Sequence, residues 1–346
     1  MPIRVDLRKV PIHIQIQLRA PSPEKRERYL QELFESAPTN KDRALVCCAA
    51  YDMGFREFAR RYSPKPAGVT INEVNQLILQ ARRLVGTSAP VELMTTFDSM
   101  PVRNDGVLYP RDGFVVRIDF SDSKRAYCKS RNPEQESVGI DLERIVGLPA
   151  YRYTLSSGWI ITESVSGRTL FDHTFLSGGQ EFDANANGQE LFKRIIAITA
   201  FDYIFGLLDR NEGGILFGPD ARVTAVDHEY LLIFTSLPLR GVSLVNLCLY
   251  LREMGLPSDL LASSLGSNLD YAAEVFETAG AKREEIVSRL TAHIAQSISV
   301  VLAFENHSIS PQIIDEALRR IDAGVNGFCE TLQGEIEQVR RLHLFE

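Results

Sequence analysis

Asp209 and Asp227 lie eighteen positions apart and bracket two short apolar runs, Ile215-Leu-Phe217 and Val223-Thr-Ala-Val226, joined by Gly218-Pro-Asp-Ala. Apolar, β-branched runs with turn residues between them predict a hairpin. Closing a hairpin brings its open ends together, so the residue before the first strand and the one after the second converge at one edge. A phosphotransferase needs such a pair. One carboxylate orients or deprotonates the nucleophile, and the other holds Mg2+ on the phosphates of ATP. Asp209 is followed by Arg210 and Asn211, and Asp227 by His228.

The elements that must carry this pair follow from periodicity. Residues 3–18 alternate enough to predict strands, and helical spacing begins at Ser22 or Pro23. Leu45 through Phe58 continues that spacing, Pro64-Lys-Pro-Ala-Gly interrupts it, and a further helix runs from near Asn72 to a C-cap at Gly86. These helices fit a small bundle or a helix-turn-helix, and without a basic run packing or partner contact is favoured over DNA. From Val91 the pattern becomes β. Phe114–Phe120, a turn at Ser121–Lys124, and Arg125–Ser130 predict a hairpin with Lys129 near its end. Pro133 opens a helix carrying Glu134 and Glu136 in its first turn and ending at Gly147-Leu-Pro149. Tyr151–Leu155 and Trp159–Ser164 predict two more strands, Gln189–Leu208 predicts an apolar helix, and nearly everything from about Ser243 onward reads as helical.

The segments Asp209-Arg210…Gly214-Ile-Leu216 and Ala225-Val-Asp-His228 resemble the catalytic and metal-binding loops of the atypical kinases related to the HipA toxins and the phosphatidylinositol kinases. The resemblance covers about residues 90–235. It implies an α+β, two-lobed atypical protein-kinase-like fold with a β-rich N-lobe and an α-rich C-lobe, binding ATP and Mg2+ in the cleft between them. Residues 91–166 would form the N-lobe with its hinge, 167–346 the C-lobe with C-terminal helices, and 1–90 an extra, mainly helical region of unassigned role. By the same resemblance Lys129 contacts the α/β-phosphates, and Glu136 pairs with that lysine, with Glu143 the runner-up. Thr162, Glu163 and Val165 lie on the hinge strand that presents backbone groups to adenine. The resemblance further implies that Asp209 would position the acceptor hydroxyl, Arg210 would stabilise the loop or the phosphate charge, and Asp227 would ligate the metal.

Each residue also has an ordinary reading. Lys129 alone reads as a solvated strand-end lysine, and Glu136 as a first-turn charge worth about 0.3–1 kcal/mol. Asp209-Arg210 reads as a helix end with a surface ion pair, Asp227-His228 as a turn cap, and His228 as a structural hydrogen-bonding partner. The ordered set favours the kinase-like reading. Two departures bear on activity. Gly214 stands where the family places its second metal-binding asparagine, leaving Asn211 or Glu212 as substitutes, and no GxGxxG loop is present.

Composition narrows the partners. Thirty-eight basic against forty-five acidic side chains give a net charge of −7, which disfavours nucleic acid and anionic lipid. A protein Ser/Thr hydroxyl is the favoured acceptor. A kinase-like pseudoenzyme acting as a nucleotide- or protein-binding module is the alternative, and a lipid or small-molecule kinase a further one. Residues 1–90 are a possible partner contact. The five cysteines form no CxxC pair and lack zinc-ligand spacing, and neither a secretion signal nor a membrane span is visible, so a cytoplasmic chain with buried thiols is expected.

Overall fold

The computed structural model describes residues 22–64, 69–98, 114–130, 132–165, 167–169, 186–207, 214–218, 222–228, 231–232, 269–297 and 312–341. The chain has an α+β fold and divides into two units. One comprises the described residues up to Pro133 together with Tyr151–Ser164, and the other comprises Glu134–Ala150 and the described residues from Val165 onward. The strands expected within residues 3–18 lie outside the described residues.

The first unit begins with α1 (Pro23–Ser36), where Ser22 accepts a hydrogen bond from the Lys25 amide, and α2 (Asn40–Asp52), capped by Thr39. The apolar spacing that predicts one helix through Phe58 belongs to two. The backbone turns at Met53-Gly54-Phe55, with Gly54 at φ 90°, before α3 (Arg56–Tyr62). Only glycine takes that φ without steric cost, so the local backbone overrides a pattern that runs on through the break. Next, α4 (Ile71–Val85) carries a full capping box between Thr70 and Glu73 and ends on Gly86 at φ 65°.

Five strands form one sheet: β1 (Val91–Asp98), β2 (Phe114–Phe120), β3 (Arg125–Lys129), β4 (Tyr153–Ser156) and β5 (Trp159–Glu163), in spatial order β1-β2-β3-β5-β4 with all pairs antiparallel. Period-two alternation assigns its faces. Val116, Ile118 and Phe120, with Ala126, Cys128, Trp159 and Ile161, pack under Leu77 and Ala81 of α4. The opposite side of β2 carries Arg117 and Asp119, both buried.

That second face holds an ion network. Arg117 donates to Asp52 of α2 at 2.6 and 3.0 Å and to Asp119 at 2.7 and 3.1 Å, and Arg125 donates to Asp119 at 2.6 Å. The Tyr51 ring lies 5.6 Å from the Arg117 guanidinium. Burial opposes the charge of Arg117, but the two carboxylates more than offset it and raise its pKa. A guanidinium with its donors satisfied on both sides is tolerated where a lone one would be expelled. Glu92 of β1 ties down α2 and α3, accepting from Tyr51 at 2.6 Å and pairing with Arg56 and Arg60 of α3.

The second unit is built on α6 (Ala186–Phe205). Its run Ile195–Ala200, with Phe201, Ile204 and Phe205, is buried, as expected for a helix apolar on nearly all sides. Around it lie α5 (Pro133–Ile145), α7 (Asp270–Ala281), α8 (Arg283–Ser297) and α9 (Gln312–Arg341), the last interrupted at Gly324. Tyr203, Phe276 and Phe328 pack their rings at 5.7–6.2 Å where α6, α7 and α9 meet. A three-stranded antiparallel sheet completes the unit: β6 (Arg168–Thr169), β7 (Ile215–Phe217) and β8 (Val223–Ala225).

Cys47, Cys48 and Cys128 are buried free thiols and Cys329 is half-buried, while Cys248 lies outside the described residues. Burial raises the pKa of Cys47 to about 12 and of Cys48 to about 11, which keeps both protonated and unreactive. Among the described residues no helix is long and apolar enough to cross a membrane.

Candidate functional site

The β7–β8 pair is in register Ile215↔Ala225, Leu216↔Thr224 and Phe217↔Val223, and the Val226 amide extends the ladder by donating to the Gly214 carbonyl at 2.8 Å. The hairpin anticipated from the runs Ile215–Phe217 and Val223–Val226 therefore forms, and Asp227 leaves its open end directly after Val226. Asp227 has φ 72°, in the left-handed region. That conformation costs a non-glycine residue about 1 kcal/mol, least for Asp and Asn, so neighbouring contacts must hold it.

Those contacts come from α5. The Glu136 Oε2 accepts from the His228 amide at 2.6 Å, and the His228 Nε2 lies 2.9 Å from Glu143 Oε1. All three side chains are buried. Glu136 and Glu143 are seven residues apart on a helix, which places them on one face, two turns from each other. Midway between them is Gly139. A Cβ there would sit 2.5 Å from the Cβ and Cγ of His228, so the imidazole occupies the space a side chain would need. The Phe201 ring of α6 meets the imidazole edge-on at 6.2 Å.

Beyond His228 the backbone is stitched on both sides. The Leu231 carbonyl accepts from the Gln135 side chain, and the Leu232 amide donates to the Phe205 carbonyl at 3.0 Å. Complete burial would lower the histidine pKa, but the charge of Glu143 and the hydrogen bonds to Glu136 and Glu143 overcome this and raise it to about 9. The two carboxylates thus favour the imidazolium over the neutral ring.

The other anticipated site residues are placed as follows. Lys129 ends β3, opposite Val115 and Ile160, in the first unit. Thr162 is buried on β5, its hydroxyl 3.4 Å from the Tyr127 carbonyl. The Glu163 carboxylate accepts from both the amide and the Nε of Arg152, each at 2.8 Å. Because β5 lies between β3 and β4, its backbone serves the sheet. The amides of Glu163 and Ser164 donate to Arg152 and Arg125 carbonyls, each at 3.1 Å, and Val165 opens the second unit. Asp209, Arg210, Asn211 and Glu212 lie outside the described residues.

Glu143 and His228 were legible as candidates but not as partners. The signal that links them is the stripe Glu136-x-x-Gly139-x-x-x-Glu143, whose small central residue leaves room for an incoming ring.

Among the described residues no group of three or more His, Cys, Asp or Glu side chains converges as a metal cage. Mg2+ does not require one, because it binds through one or two carboxylates, nucleotide phosphates and water. Asp227, half-buried at the hairpin's open end, carries one carboxylate. The sequence matches no protein-family model and no characterised protein in the comparisons made.

Proposed function

We propose that the protein is an ATP- and Mg2+-dependent phosphotransferase of the HipA-like, atypical-kinase kind, transferring the γ-phosphoryl group to a protein Ser/Thr hydroxyl. The observation that carries this reading is the Glu136 carboxylate bound to the amide that follows Asp227. The helix succeeding the lysine-bearing strand thereby reaches the loop of a hairpin whose open end is suited to a metal carboxylate. Charge stabilisation and positioning are the two demands of phosphoryl transfer, and both require groups that do not move when the substrate arrives.

In this reading Lys129 binds the α/β-phosphates, Asp227 and Asn211 hold Mg2+, Asp209 orients the acceptor hydroxyl, and Arg210 offsets developing charge. The metal supplies neutralisation of the phosphate oxygens when bound. The backbone beyond β5, at Val165, is assigned to the adenine edge, since the Glu163 and Ser164 amides are already engaged.

A second reading is favoured by Gly214, which is buried, lacks a side chain to ligate metal, and uses its carbonyl to close the hairpin. In it the chain binds nucleotide or protein without transferring phosphate. One experiment separates the two. Purified protein is incubated with γ-labelled ATP, Mg2+ and acceptor proteins, alongside Asp209→Asn and Asp227→Asn variants. Transfer by the wild type that both variants abolish supports the enzyme. Mg2+-dependent nucleotide binding without transfer supports the binding module, and absence of both overturns the kinase-like assignment.

A further inference from the structure

We infer that the α5 stripe formed by Glu136, Gly139 and Glu143 is the positioning device for Asp227, acting through a two-point grip on His228. This deepens the proposed function, on which the metal-binding role of Asp227 rests. The grip itself rests on geometry alone. Glu136 takes the backbone amide at 2.6 Å, Glu143 takes the ring at 2.9 Å, and the notch at Gly139 admits the imidazole between them.

Two points fixed on one helix determine direction as well as location. A single apolar contact would bury His228 but leave the peptide before it able to rotate. Anchoring both the amide and the far ring nitrogen fixes the His228 backbone, and with it the residue immediately upstream, which sits in the left-handed region. The hydrogen bond that the Val226 amide donates to the Gly214 carbonyl secures the other side of Asp227. The path of Asp227 is thus pinned at both neighbours, which is how a ligand with one carboxylate is given a defined location. Glu143 and His228 are positioning residues in this scheme and need not touch substrate.

The test uses the full-length protein and two readouts. Amide hydrogen exchange is followed for Asp227 and His228 against the core of α6, and Mn2+ affinity in the presence of ATP is measured by electron paramagnetic resonance. In Glu143→Ala we expect exchange at 227–228 to quicken by about 10-fold or more while the α6 core changes little. Mn2+ affinity should fall by about 10-fold. Glu143→Gln, which still offers an oxygen to Nε2, should recover most of both losses, and Gly139→Ala, which displaces the ring, should reproduce them.

Exchange at 227–228 unchanged in both Glu143→Ala and Gly139→Ala, or quickened equally in the α6 core, would overturn the inference by reducing the cluster to ordinary packing. If Glu143→Ala does not fold, the contrast between Glu143→Gln and Gly139→Ala decides the same question. If the exchange pattern holds but the wild type binds no Mn2+ with ATP, the kinase-like function fails and the positioning of Asp227 stands.

Discussion

Glu143 Oε1 lies 2.9 Å from His228 Nε2 across eighty-five positions of sequence, and both side chains are closed off from solvent. A buried ion group of this kind adds little over an apolar core when intact but is costly to break. His228→Leu leaves Glu136 and Glu143 facing a neutral side chain and is expected to destabilise the second unit by about 3–5 kcal/mol. The triple variant Glu136→Gln/Glu143→Leu/His228→Leu should recover a large part of that loss. Urea denaturation followed by tryptophan-independent circular dichroism measures both.

The network on the other unit makes a parallel case with an acid dependence. Arg117→Met removes two of the three guanidinium hydrogen bonds described for the buried Asp119, leaving that of Arg125, and should cost at most about 3–5 kcal/mol, the range for broken buried pairs. Burial opposes the charged form of Asp52, but the hydrogen bond and charge of Arg117, with help from Arg125, lower its pKa. A carboxyl whose folded pKa is depressed contributes stability above its unfolded value of 3.8, and loses it as pH falls through the folded value. Asp52→Asn should therefore be less stable at pH 6 and converge on the wild type as pH falls below 3.8 and through the depressed folded value, as read from acid titrations of the melting temperature.

His293 on α8 should give a pH dependence in a different window. It is buried, and neither ring nitrogen has a partner among the described residues. Burial first, and the nearby Arg289 charge second, lower its pKa from 6.5 to about 4. The unfolded chain then binds the proton more readily, so this stability is complete above pH 6.5 and is lost as pH falls toward 4, by at most about 3 kcal/mol. His293→Leu should flatten the stability profile between those values and add about 1 kcal/mol at neutral pH by removing unpaired polar atoms.

At α4 the two ends are independent. Thr70→Ala removes the capping box and should cost about 1 kcal/mol. Gly86→Ala forces a Cβ into the left-handed region and should cost about 1 kcal/mol as well. With roughly 22 Å of helix between the two positions, the double variant should equal the sum within about 0.5 kcal/mol in denaturant melts.

The hinge assignment yields a binding prediction. Val165→Pro deletes the first backbone donor beyond those used by the sheet, and should weaken binding of a fluorescent ATP analogue by about 10-fold. Val165→Ala, which keeps the amide, is the control; equal affinities in the two variants would remove Val165 from the adenine edge.

Local rules made much of this chain readable. Thr70, Glu73 and Gly86 mark both ends of α4, Ser121–Lys124 marks the turn between β2 and β3, and Gly218-Pro-Asp-Ala separates the sequences of β7 and β8. Each signal lies within a few residues of its effect. The break at Gly54 was hidden because apolar spacing continues on both sides of it, and a backbone preference has no periodicity to show. The pairings of Arg117 with Asp52 and of His228 with Glu143 were hidden because they join residues sixty-five and eighty-five positions apart. Pattern alone flags such charges as candidates and leaves their partners to tertiary structure. For the candidate site, the hairpin and the place of Asp227 at its open end were legible, whereas the grip that α5 exerts on His228 was not.

The strand order also dictates a sequence of events during synthesis. β5 lies between β3 and β4, yet α5, which belongs to the other unit, is translated before either β4 or β5. Until residue 163 has emerged from the ribosome, β3 presents an unpaired edge carrying Ala126 and Cys128, an invitation to mispairing that a nascent chain must survive. Fragments cut at residue 150 would retain that open edge permanently, so separate expression of consecutive pieces should yield aggregates where the uninterrupted polypeptide does not.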